Sequence, residues 1–406
     1  MVEGGRSAGR SGRRAARSDR GQPEDVWPVS GRPVKEGRRR RSSVPRWARL
    51  CTVFGAVLVV LSGVTLIGLE GVLARYERAV NQRDLFGDGA GAVEEKKSDI
   101  TGPLNVLLVG IDPRRDDTPP LADSIMILHV NDTLDSAYLF SLPRDLLVDI
   151  PAFEKANFRG GRDKLNAAMS YGSRVPGAPK PDAATGFELL SRTVSKVTGI
   201  KRFDAGAIVN FAGFQKIVDA MGGVTMYIER DVKSEHKQPD GSPRTLKPGG
   251  GGYLGPQAVY KKGTRHLNGW QALDYVRQRY PRNGVPDGDY GRQRHQQQFV
   301  RAMAEQALSK DVVTNPLKLD AVLRAAGKSL IFSGRGHKLT EFAFALRNLR
   351  PDSIQMIKLQ GEGVFEQGNY RGEKLKPPAE EFFAALNAGQ LDAFVLSHPE
   401  LLNKAT

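Results

Sequence analysis

The chain is predicted to fold as an α/β layered domain preceded by one transmembrane helix. Three observations carry that expectation. Short apolar runs rich in β-branched residues, at 105–110 (NVLLVG), 124–130 (SIMILHV), 136–142 (SAYLFSL) and 203–211, suit buried strands better than helices. Segments with helical spacing alternate with them, as in a layered α/β domain. Ahead of all these runs lies a stretch of twenty residues without a charge, 50–69 (LCTVFGAVLVVLSGVTLIGL).

As a helix rising about 1.5 Å per residue, that stretch reaches roughly 30 Å, the thickness of a bilayer's hydrocarbon core. A cleaved signal peptide would have a shorter apolar region close to the N-terminus, and here a long polar segment comes first. Residues 1–49 hold 14 Lys and Arg against 5 Asp and Glu, so this segment carries +9 of the chain's +15. Poor in apolar residues, it cannot bury enough surface to offset ordering and is expected to be disordered. Its Arg38-Arg39-Arg40-Arg41 run suits nucleic acid by charge alone. Directly before an apolar span it reads instead as a topology determinant, which keeps the tail in the cytoplasm and exports everything after Glu70. No nucleic-acid partner is expected. Cys51, the only cysteine, falls in the span, so the exported part can form neither a disulfide nor a thiol site. Residues 70–102, with the glycines of 87–91, read as stalk and linker. Residues 103–390 are then the exported domain, and 391–406 a short tail.

Within the domain, 148–151 is extended and 164–168 (KLNAA) starts a helix. Residues 183–198 place Phe187, Leu190, Val194 and Val197 on one helical face, and Gly199 stands where a helix end favours a left-handed residue. A short helix at 213–221, closed by Gly222-Gly223, leads to a strand at 224–228. Residues 231–266 look irregular and include Gly249-Gly250-Gly251-Gly252; they read as an insertion, with a flap over a site as the alternative. Asn268 reads as the N-cap of a helix that ends near Arg277 and Arg279. A further helix at 293–309 is opened by Asp289-Tyr290-Gly291-Arg292. Helices at 316–329, 340–349 and 379–388 and a strand at 354–359 complete the reading.

Candidate site residues sit at the ends of these elements. Asp112 follows the first strand, Asp123 precedes the apolar part of the second, and Arg144 follows Pro143 after the third. If these strands are neighbours, two carboxylates and a guanidinium share one rim, where oxygen ligands suit a hard divalent cation and a forked donor suits phosphate. The same residues also suit turn caps and a solvated end charge. Arg277, Arg279 and Arg292, with Gln296 one turn beyond Arg292, suit an oligoanion. A solvated charged face is the alternative.

Taken in order, eight pieces resemble the LytR–CpsA–Psr family of envelope phosphotransferases. They are 105–112 (NVLLVGID), 122–125 (ADSI), 141–145 (SLPRD), 148–151 (VDIP), 164–168 (KLNAA), 214–224 (FQKIVDAMGGV), 267–279 (LNGWQALDYVRQR) and 289–296 (DYGRQRHQ). The resemblance implies an α/β/α sandwich with a central mixed sheet and an apolar tunnel for a polyprenyl chain. It implies transfer of a glycopolymer from a polyprenyl-pyrophosphate carrier to peptidoglycan as a phosphodiester, by a catalytic domain outside the membrane. By motif position, Asp112 and Asp123 would hold Mg2+, with Mn2+ as the alternative, and Arg144, Arg277, Arg279 and Arg292, supported by Gln296, would clamp the pyrophosphate. Such chemistry asks the protein mainly for positioning and charge neutralisation. Asp112 as base for the attacking hydroxyl is disfavoured, because a metal-bound carboxylate is a poor base.

Two positions depart from the family pattern. Leu121 stands where an arginine is usual, leaving Arg114 or Arg115 to supply that contact, and His295 stands where the helix motif has its second arginine. Hydrolysis at the same site and non-catalytic binding of a lipid-linked polymer remain the competing functions.

Overall fold

In the computed structural model, residues 81–87, 99–113, 115–307 and 316–403 are described. The predicted span at 50–69 and the basic tail lie outside them. Among the described residues no helix is long and apolar enough to cross a membrane.

Seven strands form one mixed sheet: β1 (Asn81–Gln82), β2 (Leu104–Ile111), β3 (Ala122–Val130), β4 (Ala137–Ser141), β5 (Ala205–Asn210), β6 (Leu330–Ser333) and β7 (Ile354–Ile357). Their spatial order is β1-β6-β5-β2-β3-β4-β7. The pairs β2/β3, β3/β4 and β5/β6 are antiparallel, while β2/β5, β1/β6 and β4/β7 are parallel. Alternation along β2 sends Leu107, Val109 and Ile111 into one core and Leu104 and Val106 into another. Both faces are apolar because helices cover both. On the first face pack α1 (Leu165–Gly172) and α2 (Ala183–Thr198), whose Phe187 and Leu190 share one buried core with Leu107 and Phe140. Gly199 ends α2 at φ 73°, and its N–H donates to the Ser195 carbonyl, a left-handed cap.

The helices α3 (Phe211–Ala220), α4 (Gly269–Arg277), α5 (Asp289–Ala307) and α6 (Pro316–Ser329) build a satellite core around Val218, Tyr275 and Phe299. Asn268 caps α4 in a reciprocal box with Gln271. The helix α7 (Leu339–Ala345) adds Phe342 to the second face of the sheet. Finally α8 (Ala379–Asn387) and α9 (Leu391–Ser397) return to the first face. The result is a helix, sheet, helix sandwich.

Five regions differ from the sequence reading. The linker is partly core: β1 pairs with β6, and Leu85 and Phe86 are buried. Residues 391–403 are no loose tail, since α9 buries Leu391 and Val395, and Asn403 N–H reaches the Met356 carbonyl at 2.8 Å. Residues 231–266 are ordered by short antiparallel pairs, Val232–Lys233 with Val259–Tyr260 and Thr245–Leu246 with Tyr253–Leu254, while Gly263–Leu267 pairs with Val224–Ile228. Two-residue strands leave no periodicity to read. A hairpin of Gly361–Glu366 and Asn369–Leu375 also escaped notice; its strands are mostly exposed and charged, and the turn at Gln367-Gly368 has positive φ at both positions. The fifth helix starts at Asp289 instead of residue 293, which puts Arg292 inside its first turn.

Candidate functional site

The β2/β3 register, irregular between Gly110 and Ile111, sets Ile111 opposite Ala122, so Asp112 and Asp123 meet at one rim of the sheet. Because β4 runs antiparallel to β3, with Ser141 opposite Met126, the turn that follows delivers Arg144 to the same rim. There Arg144 Nη1 donates to Asp123 Oδ1 at 2.6 Å. From the last residue of α4, Arg277 Nη2 donates to Asp112 Oδ2 at 2.9 Å, with its guanidinium 5.0 Å from the Phe211 ring centre. Arg279, two residues on, lies 5.4 Å from the Tyr280 ring centre. Arg292 enters from the first turn of α5, held by Asp289 at 2.9 Å, and Gln296 accepts a hydrogen bond from Ser124 Oγ at 3.0 Å.

These seven residues, drawn from five stretches of chain, line one cavity of about 560 Å³. Four guanidiniums there face two carboxylates, so the wall is cationic. Arg292 is only 7% exposed. Burial first, then Arg144 and Arg279, hold its pKa below the usual arginine value against the pull of Asp289 and Asp123. The buried Nε atoms of Arg144 and Arg292 have no hydrogen-bond partner among the described residues. Unmet buried donors on a cationic wall are costly unless an anion satisfies them.

The carboxylates fit a hard cation. Each is partly exposed, and each offers one oxygen to an arginine, leaving the other without a hydrogen-bond donor among the described residues. Among the described residues no group of three or more His, Cys, Asp or Glu is arranged around a metal. Two carboxylates suit Mg2+, which keeps several waters and shares phosphate oxygens, better than zinc with its full set of protein ligands.

The sequence model of the LytR_cpsA_psr family matches residues 73–388. The chain belongs to the LytR–CpsA–Psr family. Biofilm regulatory protein A of Streptococcus mutans is 30% identical over 337 residues, which cover 79% of this chain and 71% of the relative. Cell wall biosynthesis protein LcpA of Corynebacterium glutamicum is 27% identical over 347 residues, 79% of this chain and 61% of the relative. TagU of Bacillus cereus, named polyisoprenyl-teichoic acid–peptidoglycan teichoic acid transferase, is 27% identical over 234 residues, 58% of this chain and 61% of its own. The chain thus spans less than two thirds of the last two relatives. Among solved structures, B. subtilis TagV superposes with a TM-score of 0.51 at 20% identity, covering 72% of this chain and 98% of TagV. B. subtilis TagT gives 0.51 at 23% identity, over 76% of this chain and 99% of TagT. These likenesses show the LytR–CpsA–Psr fold.

Both departures from the LytR–CpsA–Psr pattern can be placed. Leu121 lines the charged cavity and is 44% exposed, so no charge replaces the family's arginine at that point. Arg115 is paired with Asp117 away from the wall, and Arg114 lies outside the described residues. His295 is buried, stacked 4.5 Å from the Tyr275 ring, with burial first and then Arg294 pushing its pKa down to about 4. It is therefore neutral and does not line the cavity. The adjacent Arg294 turns to Glu229 and Asp287 instead.

A second cavity, of about 190 Å³, lies against the first and shares Phe211 and Gln296 with it. Its wall is otherwise almost wholly apolar: Leu108, Met126 and Val209 from the sheet, Phe214 and Ile217 from α3, and Phe299 and Met303 from α5. The helix positions Phe299 and Met303, indistinguishable from ordinary core by spacing, belong to this wall; Leu308 lies outside the described residues. Other wall residues of the charged cavity were also missed, Tyr280, Phe211 and His236 among them. Tyr280 had a signal, an aromatic directly after Arg279, but Phe211 read only as a strand end and His236 was hidden in the insertion.

Proposed function

We propose that this chain is a membrane-anchored phosphotransferase that moves a glycopolymer from a polyprenyl-pyrophosphate carrier to peptidoglycan as a phosphodiester. The observation that carries the reading is the junction of the two cavities. A cationic chamber with unmet arginine donors opens beside an apolar one, as a pyrophosphate attached to a long prenyl chain requires. The relatives add support, since TagU bears a transferase name and TagT has been solved bound to LIIa-WTA.

The guanidiniums of Arg144 and Arg277 are oriented by Asp123 and Asp112, and that of Arg292 by Asp289, so little reorganisation is needed to meet phosphate oxygens. Arg279 is aligned by the face of Tyr280, and Gln296 stands where charged wall turns to apolar wall. Asp112 and Asp123 would hold Mg2+, or Mn2+, which when bound neutralises charge on the pyrophosphate. Phe211, Phe214 and Phe299 keep water from the prenyl side.

The test is incubation of the full-length protein in detergent with polyprenyl-pyrophosphate oligosaccharide, Mg2+ and peptidoglycan fragments. A product heavier than the acceptor by the glycan phosphate is expected. Free glycan phosphate without adduct would make the protein a hydrolase, and untouched donor would reject both activities. For the anchor, an export-dependent reporter fused after Gly102 should be active and one fused before Arg46 inactive.

A further inference from the structure

Resting on the phosphotransferase reading, one step lacks an agent: the acceptor hydroxyl must lose a proton, and Asp112 and Asp123, as the candidate metal carboxylates, are poor acceptors for it. One other wall residue of the charged cavity carries a side chain suited to take that proton, the imidazole of His236. It lies in the insertion, on a loop fastened to the arginine motif. Next to it, Glu235 N–H donates to Gln278 Oε1 at 2.9 Å, and Gln278 stands between Arg277 and Arg279. The Glu235 carboxylate, itself buried, accepts from Arg282 and Asn283 at 2.8 and 2.7 Å. The main-chain N–H of His236 donates to Ser234 Oγ at 3.1 Å, and the Tyr253 ring packs edge-on against the imidazole at 5.0 Å. The ring is thus held in place, yet neither of its nitrogens has a hydrogen-bond partner among the described residues.

We propose that His236 is the general base of the transfer, taking the proton of the acceptor hydroxyl as that oxygen attacks phosphorus. The O–H bond breaks to a ring nitrogen, and the acceptor oxygen forms the new P–O bond. The bridging P–O bond of the pyrophosphate breaks, and polyprenyl phosphate leaves with the electron pair. The imidazolium then returns its proton to solvent.

The surroundings suit the role. Burial first, then Arg277, and Arg279 more weakly, hold the imidazole below its ordinary 6.5 against the opposing pull of Asp274 and Glu235, so the free enzyme carries it unprotonated at neutral pH. A pyrophosphate among the same arginines offsets their field, so the base strengthens when the donor is bound.

The experiment compares full-length wild type with His236→Gln in the transfer assay across pH. Loss of a general base is expected to lower kcat about 100-fold, with KM for the donor nearly unchanged. Wild-type kcat/KM, which reports the free enzyme, should fall on an acid limb below pH 6.5 that the variant lacks. Full kcat in folded His236→Gln, a loss confined to KM, or a wild-type kcat/KM flat through that range would each overturn the assignment. The wild-type profile decides even if the variant fails to fold. Absence of any transfer by wild type would remove the phosphotransferase reading itself, whereas transfer that survives the substitution removes only the base.

Discussion

The charged and the apolar cavity share Phe211 and Gln296, yet their walls are built from different parts of the secondary structure. The charged wall consists of residues at element ends: Asp112 after β2, Asp123 at the start of β3, Arg144 after β4, Arg277 at the end of α4 and Arg292 in the first turn of α5. The apolar wall consists of residues from within elements, such as Leu108 and Met126 in the strands and Phe214 and Phe299 in the helices. Element ends can aim single side chains with direction, whereas mid-element positions offer volume and area. The charged wall should therefore be sensitive to geometry at constant charge, and the apolar wall to volume at constant polarity.

The sharpest break in that contrast is Asp123→Ala. It removes one hard oxygen ligand and leaves Arg144 without its partner, so kcat/KM should fall about 100-fold and the Mg2+ requirement should weaken. Turnover indifferent to both chelator and substitution would contradict the metal role. Next in size is a change of shape alone. Arg277→Lys and Arg144→Lys keep the charge but lose the planar fork, and should each cost about tenfold in kcat/KM, on the order of 1.4 kcal/mol, with Tm unmoved. Full activity in these variants would make the arginines structural.

A smaller effect is expected across the boundary. Val209→Phe fills part of the apolar cavity and should raise KM for a full-length prenyl donor about fourfold, the worth of one displaced CH2 at ~0.8 kcal/mol. A donor cut to a few isoprene units should be unaffected. Equal effects on both donors would mean that the chain does not use this cavity. Smallest of all is Arg347→Lys, on the surface beside Phe344, which should change neither kcat/KM nor Tm.

The same division explains what could be read from the chain before its fold was known. The strands at 105–110 and 124–130, the left-handed cap at Gly199 and the capping box at Asn268 are local: a few consecutive side chains carry the whole signal. Directional residues at element ends stand out in the same way, because a lone Asp or Arg beside an apolar run is chemically conspicuous. Hence the six charged candidates could be named from the sequence, with Gln296 added as one turn from Arg292, although nothing local said that Arg144 and Arg292, 148 positions apart in the numbering, would face one chamber.

Where the signal is neither local nor conspicuous, the chain is silent. Leu85 and Phe86 look like linker until β1 docks beside β6, and α9 looks like a tail until Leu391 and Val395 meet the first face of the sheet. Met126 and Phe299 look like core until the space between them is found unfilled. His236 belongs to no motif; the Gln278 hydrogen bond beside it, across forty-three positions, ties its loop to the arginines. Local conformational preference and the chemistry of single side chains are properties of short stretches. Cavities, shared walls and the partners of a buried group are properties of long-range packing, and only the assembled sheet and its helices decide them.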